Sequence, residues 1–306
     1  MYEAYYHLKA SPFQLSPDPR FLYSSKGHSR AMAYLIYGAH QAEGFIIITG
    51  EIGAGKTTLA RALARKLDAQ KIVLAQVVST QVNADDMLRL VAAAFGLPLH
   101  ESKAVQLREL EKFLLSCHKK GKRALLLVDE AQNLPLGAME ELRMLSNFQY
   151  EEKSLLQSFL LGQPEFRRLL QTPEMEQLSQ RVIAACHLGP LDAEETKAYI
   201  RHRLRTVGWA GDPSIDDDAF AAIFRHTGGI PRKINILCNR VLLLGYMDEK
   251  HVINGQDVAI VVDDMEQEFA PISPPVDDTG FTTIGGIEGR RPVHATTGTG
   301  GGGEVR

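Results

Sequence analysis

Cysteine is scarce in this chain, and the three cysteines that occur are far apart. They are Cys117, Cys186 and Cys238, an odd number with no C-x-x-C pair among them. No group of histidines and cysteines has the spacing of a zinc site. A disulfide-stapled extracellular scaffold and a structural zinc domain are both disfavoured, and we expect three reduced thiols in a cytoplasmic protein.

The chain also lacks long apolar segments and a large excess of charge. No apolar run approaches the roughly 18 residues that a membrane-spanning helix needs. The first residues, "MYEAYYHLKA", show neither the charged leader nor the apolar stretch of a signal peptide. We therefore expect a cytoplasmic protein with no transmembrane segment. The formal net charge of −3 over 306 residues gives no overall field for nucleic acid, although a local basic patch stays open.

One dense motif, "GEIGAGKTT", carries the strongest functional signal. It fits the pattern G-x-x-x-x-G-K-[ST] with Gly50, Gly55, Lys56 and Thr57. In such a phosphate loop the glycines let backbone N–H groups turn inward, the lysine reaches the terminal phosphates, and the threonine hydroxyl binds Mg²⁺. We expect ATP and Mg²⁺ as ligands, and the predicted binding residues are Gly50, Glu51, Ile52, Gly53, Ala54, Gly55, Lys56, Thr57 and Thr58.

The residues on either side of the phosphate loop have the context that it requires. Phe45 to Thr49 are β-branched or aromatic and show no polar alternation, which predicts a buried strand. Leu59, Leu63 and Leu67 recur every four residues, as on one face of a helix. The positive N-terminal end of that helix would add to the phosphate site. An ordinary glycine-rich turn is the alternative, but the Lys-Thr pair and both flanks favour the phosphate loop.

A second motif, "ALLLVDEAQNL", supplies an acidic pair. Asp129 ends a hydrophobic strand and Glu130 follows at once. We expect Asp129 to hold the Mg²⁺ shell and Glu130 to orient and polarise the attacking water. Alone, such a pair could simply serve solubility, but together with the phosphate loop it predicts nucleotide hydrolysis. No N-K-x-D sequence occurs, so a GTPase is the weaker interpretation.

Three further polar residues are candidates for the same site. Gln163 follows a buried strand and could contact the γ-phosphate or the water, although a plain turn before Pro164 is the alternative. Arg181 lies at a helix-to-strand junction, where it is either a solvated arginine or a finger that reaches a neighbouring subunit's γ-phosphate. Arg232 lies in the first turn of a helix, next to the positive end of its dipole, so an anionic partner is expected for it.

The alternation of strands and helices predicts three segments. Up to Leu188, apolar strands alternate with helices, as in a parallel sheet covered on both faces. Four helical patterns follow and no strand is apparent. The end of the chain is rich in proline, glycine and threonine, and we expect it to be disordered. The predicted boundaries are 1–189 for the α/β domain with its aromatic N-terminal lead, 190–269 for the helical domain and 270–306 for the tail.

In order and wording these motifs resemble the AAA+ ATPases of the general secretion pathway protein A type. The resemblance runs from "PFQLSPDPRFLY" and "GHSRAMAYLIYG" through "LRMLSNFQ" and "LLQSFLLGQPEFR" to "TGGIPRKIN", over roughly residues 1–269. Within that type the chain is most similar to the group associated with exosortase/PEP-CTERM exopolysaccharide loci.

The resemblance implies a P-loop NTPase fold, in which helices sandwich a parallel sheet and a small helical lid follows. It implies that residues 50–58 are Walker A, that Asp129 and Glu130 are Walker B, and that Gln163, Arg181 and Arg232 are sensor 1, arginine finger and sensor 2. The candidate catalytic set is thus Glu130, Lys56, Arg181 and Gln163, with Thr57 and Asp129 as metal ligands. Secretion proteins of this name often carry a transmembrane segment and a peptidoglycan-binding domain after the ATPase. We see neither here, so direct envelope anchoring is not expected.

Two functions of different classes fit these features. The first is a homo-oligomeric ATPase that shares its sites between subunits and powers or regulates an envelope export or exopolysaccharide assembly system. The second is a DNA-associated ATPase of the kind that selects transposition targets. Its candidate basic stretches are "HKKGKR" (His118–Arg123) and "RHRLR" (Arg201–Arg205), which a solvated turn and a solvated helix face also explain. A nucleotide-binding scaffold that hydrolyses slowly is disfavoured by Glu130.

Overall fold

A sheet of five parallel strands forms the centre of the protein. The computed structural model describes residues 1–16, 18–41, 44–66, 71–78 and 83–268. The strands are β1 (Phe45–Gly50), β2 (Ile72–Val78), β3 (Arg123–Asp129), β4 (Gln149–Tyr150), β5 (Lys153–Ser154), β6 (Leu156–Gly162), β7 (Val182–Leu188), β8 (Ser214–Ile215) and β9 (Val252–Ile253). The central sheet has the order β2-β3-β6-β1-β7, so β6 separates β1 from β3.

Helices connect these strands and then continue alone. They are α1 (Tyr2–Tyr5), α2 (Lys26–Gln41), α3 (Lys56–Lys66), α4 (Ala84–Ala94), α5 (Lys103–Lys119), α6 (Leu136–Leu145), α7 (Pro164–Leu169), α8 (Glu176–Ser179), α9 (Ala193–Thr206), α10 (Asp217–Thr227), α11 (Pro231–Met247) and α12 (Gly255–Glu268). Short 3-10 turns occupy Pro19–Phe21, Ala131–Asn133 and Pro173–Met175.

The central strands are mostly apolar because helices cover both faces of the sheet. Every residue of β1 and β6 is buried, and so are all of β3 except its first. Leu110 and Leu142 belong to the core on one face, and Leu35 and Leu59 to the core on the other. The predicted α/β fold with a parallel sheet between helices is confirmed.

Parallel pairing brings the ends of three strands to one edge of the sheet. β1 ends at Gly50, β3 at Asp129 and β6 at Gly162, and β1 and β3 each pair with β6 in parallel. The residues that follow these strands therefore lie close together. In an open α/β sheet, this carboxyl edge is where ligands bind.

The four helices predicted after the sheet are α9 to α12, here called the helical segment. Asp192 caps α9 through a capping box with Glu195, and Pro231 occupies the first turn of α11, as the sequence signals suggest. The segment also contains a short parallel ladder between β8 and β9, which the sequence did not indicate. Each strand of that ladder has two residues, too few for an alternating pattern to appear.

The N-terminal lead, described over residues 1–16 and 18–23, packs against the helical segment. Tyr2, Tyr6 and Phe21 share one core with Ile200 and Leu237. The aromatic lead that we grouped with the sheet in sequence thus shares its buried surface with α9 and α11. The boundaries of the domains stay predictions, but this packing joins the two ends of the described chain.

Arg203, on α9, links the lead to the helical segment through hydrogen bonds. Its side chain is buried, and it donates to the carbonyl oxygens of Pro12 at 2.6 Å and Gln14 at 2.9 Å. It also donates to the Tyr199 hydroxyl at 2.9 Å, and its guanidinium lies 4.5 Å from the centre of the Phe21 ring. The arginine therefore satisfies its buried charge with carbonyl and aromatic partners.

Some predictions fall outside the described residues. Leu67, the last residue of the predicted leucine repeat, is one of them, and the tail from 270 to 306 is another. Within the part of the chain that the structure describes, every helix is too short or too polar to cross a bilayer.

We expect Arg203→Met to lower the free energy of unfolding by roughly 2–4 kcal/mol, because buried hydrogen bonds from a charged group are lost together. Arg205→Met, on an exposed position of the same helix, is the matched control. Chemical denaturation measures the difference, and limited proteolysis should release the lead faster in the Arg203 variant. Equal stability of the two variants would mean that Arg203 does not fasten the lead.

Candidate functional site

The phosphate loop runs from the end of β1 to the start of α3. Gly53 and Gly55 have φ of 85° and 95°, the left-handed region that favours glycine. Gly53 has a second reason to be glycine, because a Cβ there would lie 2.2 Å from the Cβ of Arg232. The loop can therefore close against the helical segment only with glycine at this position.

Lys56 lies inside the loop as a buried ammonium. Its side chain donates to the carbonyl of Gly50 at 2.7 Å and to that of Glu51 at 3.1 Å, and only 6 % of the residue is exposed. Burial lowers the pKa of Lys56, while the charges of Glu130 and Asp129 oppose that shift. No ion pair joins Lys56 to a carboxylate of the described residues. A buried cation held only by carbonyls is suited to an anionic ligand.

Thr57 and Asp129 form the pair that was predicted to bind a metal. The Thr57 hydroxyl donates to one carboxylate oxygen of Asp129 at 2.8 Å, and the other oxygen accepts the N–H of Glu130 at 3.0 Å. The described residues contain no group of three or more His, Cys, Asp or Glu that could enclose a metal. Mg²⁺ is usually held by one or two side-chain oxygens together with phosphate oxygens. The hydroxyl and the carboxylate therefore fit Mg²⁺ bound together with a nucleotide.

Glu130 lies beside this pair and is held by two amides. Gln132 donates to its Oε2 at 2.6 Å and Gln163 donates to the same oxygen at 3.1 Å. Burial raises the pKa of Glu130, but these hydrogen bonds and the charge of Lys56 outweigh it, so the pKa lies below its ordinary value. The carboxylate is therefore ionised at neutral pH. Gln163 meets Glu130 here, and Gln132 was missed by the sequence analysis.

Arg232 reaches the loop from the helical segment. Its backbone N–H donates to the carbonyl of Gly53 at 3.2 Å, and its side chain fills the space that a Cβ on that glycine would need. Among the residues described, no carboxylate forms an ion pair with its guanidinium. Arg232 thus lines the same cavity as Lys56, Thr57 and Glu130.

Arg181 does not join that group within one chain. It directly precedes β7, and its carbonyl accepts the N–H of Phe45, the first residue of β1. The loop follows the last residue of β1. Arg181 and the loop therefore lie at opposite ends of the parallel strands, which are roughly 20 Å long. The side chain of Arg181 donates to the hydroxyl of Ser146 at 3.0 Å.

A cavity of about 220 Å³ extends from the loop between the lead and the helical segment. The loop and Glu130 line one end of it. The remainder is lined by residues that the sequence analysis did not single out for the site, among them Gln14, Phe21, Tyr23, Tyr199, Arg203 and Asn235. The aromatic lead was the available signal, but its role depends on packing between residues that are far apart in sequence.

His28 is a further contact of the loop that the sequence analysis missed. It is 7 % exposed, and its Nδ1 lies 2.8 Å from the hydroxyl of Ser25. Its Nε2 lies 3.0 Å from the position of a Cβ on Gly55. Burial lowers the pKa of His28, and a contact with the backbone of Ala54 opposes that shift. The imidazole of His28 thus lies against the loop and lines the same cavity.

Two comparisons of the sequence with known proteins identify relatives of this chain. The AAA domain family matches residues 39–170. General secretion pathway protein A of Aeromonas hydrophila is 37% identical over 262 residues, which cover 85% of this chain and 48% of that protein. The chain therefore spans about half the length of this curated relative.

Solved structures share the fold at low sequence identity. The Aeropyrum pernix ORC2 protein, in its ADPNP–ADP complexes, has a TM-score of 0.65 at 16% identity, and the match covers 86% of this chain and 75% of that one. The Thermotoga maritima RuvB Holliday junction branch migration motor has a TM-score of 0.54 at 19% identity, with coverages of 85% and 72%. By its fold and its sequence, the chain belongs to the AAA P-loop NTPases of the general secretion pathway protein A type.

Proposed function

We propose that this protein binds Mg²⁺-ATP at the phosphate loop and hydrolyses it to ADP and phosphate. The observation that carries the proposal is the convergence of a buried ammonium, a hydroxyl–carboxylate pair and an ionised carboxylate at one edge of the sheet. Each of the three suits a different part of the reaction: phosphate binding, metal binding and the orientation of water.

Lys56 and Arg232 bind and orient the phosphates in this proposal. Backbone N–H groups of the loop would add hydrogen bonds, and the positive end of α3 favours the anion. Thr57 and Asp129 would hold Mg²⁺, which neutralises phosphate charge when bound. The lead and the helical segment line the part of the cavity that would hold the rest of the nucleotide.

Glu130 orients and polarises the water that attacks the γ-phosphate. Its Oε1 accepts no hydrogen bond from the described residues, so this oxygen is available for the water. Gln163 contributes as a contact to the γ-phosphate or the water. Its amide nitrogen lies 3.1 Å from Glu130 Oε2, so its side chain is already beside the carboxylate that orients the water.

Arg181 acts in a neighbouring subunit. Its distance from the loop of its own chain rules out a contact there, whereas a second copy can bring it to the phosphates. Charge develops on the transferring phosphoryl group, and an arginine supplied by another chain stabilises that charge. We therefore propose a homo-oligomer in which each nucleotide site lies between two subunits.

The pathway that we propose is envelope export. The relation to general secretion pathway protein A supports a role in secretion, and the finer resemblance favours the exosortase/PEP-CTERM exopolysaccharide systems. We propose a cytoplasmic ATPase that meets the inner membrane through export proteins. Because the relative is about twice as long as the matched region, these partners rest on the resemblance alone.

A DNA-associated ATPase is the second candidate. Lys119, Lys120 and Lys122 are exposed, and none has an ion-pair partner among the described residues. The other basic stretch is weaker, because Arg203 is buried under the lead and Arg201 lies over Phe220. Binding of duplex DNA that falls steeply with salt, and that disappears when the three lysines become glutamate, would favour this candidate.

Lys56→Ala should weaken ATP binding by about 10- to 100-fold, because a hydrogen-bonded charge is removed from the phosphates. Its melting temperature should stay close to that of the wild type. The substitution removes the unfavourable burial of a charge together with the favourable hydrogen bonds that this charge makes. Calorimetry gives the affinity, and Lys66→Ala at the exposed end of α3 is the control. Equal affinity in the Lys56 and Lys66 variants would rule out the loop as the phosphate site.

Glu130→Gln should bind ATP like the wild type but lower kcat by about 100-fold or more, because only the ionised carboxylate is lost. Calorimetry and a phosphate-release assay separate binding from turnover. Glu165→Gln changes a nearby carboxylate on α7 and serves as the control. A parallel loss of affinity would instead give Glu130 a structural role.

Arg181→Ala should keep its ATP affinity and lose about 1,000-fold or more in kcat, as expected for an arginine supplied in trans. Specific activity of the wild type should rise with protein concentration. Mixing Arg181→Ala with Lys56→Ala should restore part of the activity, because some mixed interfaces pair an intact loop with an intact arginine. Arg167→Ala is the exposed control. Activity independent of concentration, with no rescue on mixing, would contradict the shared site.

A further inference from the structure

Three hydrogen bonds join Gln132, Glu130 and Gln163 into a closed ring. Gln132 donates from Nε2 to Glu130 Oε2 at 2.6 Å, and Gln163 donates from Nε2 to the same oxygen at 3.1 Å. The backbone N–H of Gln163 donates to Gln132 Oε1 at 3.0 Å. Gln132 therefore uses both polar atoms of its amide. Nε2 donates to Glu130, which follows β3, and Oε1 accepts from Gln163, which follows β6.

The backbone around Gln132 directs its side chain back to Glu130. Glu130 has φ 53° and ψ 42°, a left-handed conformation that is strained for a residue other than glycine. The 3-10 turn Ala131–Asn133 follows at once, and Ala131 and Leu134 anchor it in the core with 0 % and 4 % exposure. Gln132 is thus held by a turn whose position is fixed on both sides.

The two amides differ in what else they are needed for. Gln163 is proposed to contact the γ-phosphate or the water, so its side chain must be able to leave Glu130. The amide of Gln132 has no such task, and its bond to Glu130 is the shorter one. If Gln163 turns to the phosphate, Gln132 alone keeps Oε2 in place and leaves Oε1 for the water.

We propose that Gln132 is the positioning residue that fixes the carboxylate of Glu130 for hydrolysis, while Gln163 exchanges between Glu130 and the nucleotide. This inference rests on the proposed ATPase function. It gives Gln132 two separable jobs: an acceptor that ties the ends of β3 and β6 together, and a donor that orients Glu130. The amide of glutamine can both accept and donate. A carboxylate at this position can only accept, and a thioether can do neither well.

Two variants separate these jobs. Gln132→Glu keeps the length and the acceptor for the Gln163 N–H, but it loses the donor and places a like charge beside Glu130. Gln132→Met has a similar volume and loses both bonds. Both variants should lower kcat by about 10- to 100-fold and leave the ATP dissociation constant within about 3-fold, because the loss lies in the orientation of the water.

Gln106→Met is the matched control for the loss of a glutamine that bonds backbone groups. Gln106 is 1 % exposed, accepts the N–H of His100 and donates to the carbonyl of Pro98, far from the loop in the fold. This control should lower the melting temperature and leave kcat nearly unchanged. A second test places Gln132→Met in the Glu130→Gln background, where it should cause no further loss of kcat, since it acts through Glu130.

The outcomes distinguish the inference from the function on which it rests. If the wild type hydrolyses no ATP, both are overturned. If the wild type is active and Glu130→Gln is not, but Gln132→Glu keeps the wild-type kcat, only the inference is overturned. The inference alone is also overturned if Gln132→Glu keeps its kcat while Gln132→Met loses kcat in proportion to its loss of melting temperature. It is likewise overturned if the losses of kcat in Gln132→Met and Glu130→Gln add fully in the double variant.

Discussion

The geometry of the site depends on the hydrogen bonds between the buried ammonium of Lys56 and the carbonyls of the loop. A charge taken out of water needs acceptors on several sides, and the carbonyls of the loop supply them. The chain reaches that arrangement by turning through the left-handed conformations of Gly53 and Gly55. The same turn starts α3 at Lys56, so the hydroxyl of the next residue meets Asp129 at the end of β3.

The cavity that continues from the loop is built by parts of the chain that are distant in sequence. Phe21 of the lead and Tyr199 of α9 share one core, and Arg203 holds the backbone of the lead through two carbonyls. Arg232 brings α11 to the loop. A nucleotide in this cavity would contact all three parts at once, so its binding free energy would stabilise their association.

The sequence predicts those features of the site that are local in the chain. Lys56 and Thr57 follow from a contiguous motif, and Asp129 follows from a strand that ends in a charge, so the sheet alone brings them together. Gln132 escaped notice because the left-handed turn at Glu130 is set by tertiary packing. Arg203 was interpreted as part of a solvated helix face, since its partners in the lead are about 190 residues away in sequence.

In the proposed function, the positions of Arg232 and Arg181 separate nucleotide binding from nucleotide hydrolysis. One chain brings Lys56 and Arg232 together at the loop, and its amides hold Glu130, so in the proposed reaction a single subunit supplies the groups that bind the nucleotide. Arg181 lies at the opposite end of β1 from the loop, and in the proposed assembly it acts on a neighbouring subunit. In the proposed reaction the charge that develops on the phosphoryl group therefore meets its full complement of cations only after assembly. Since assembly then controls hydrolysis, a partner that organises these subunits would also set their rate.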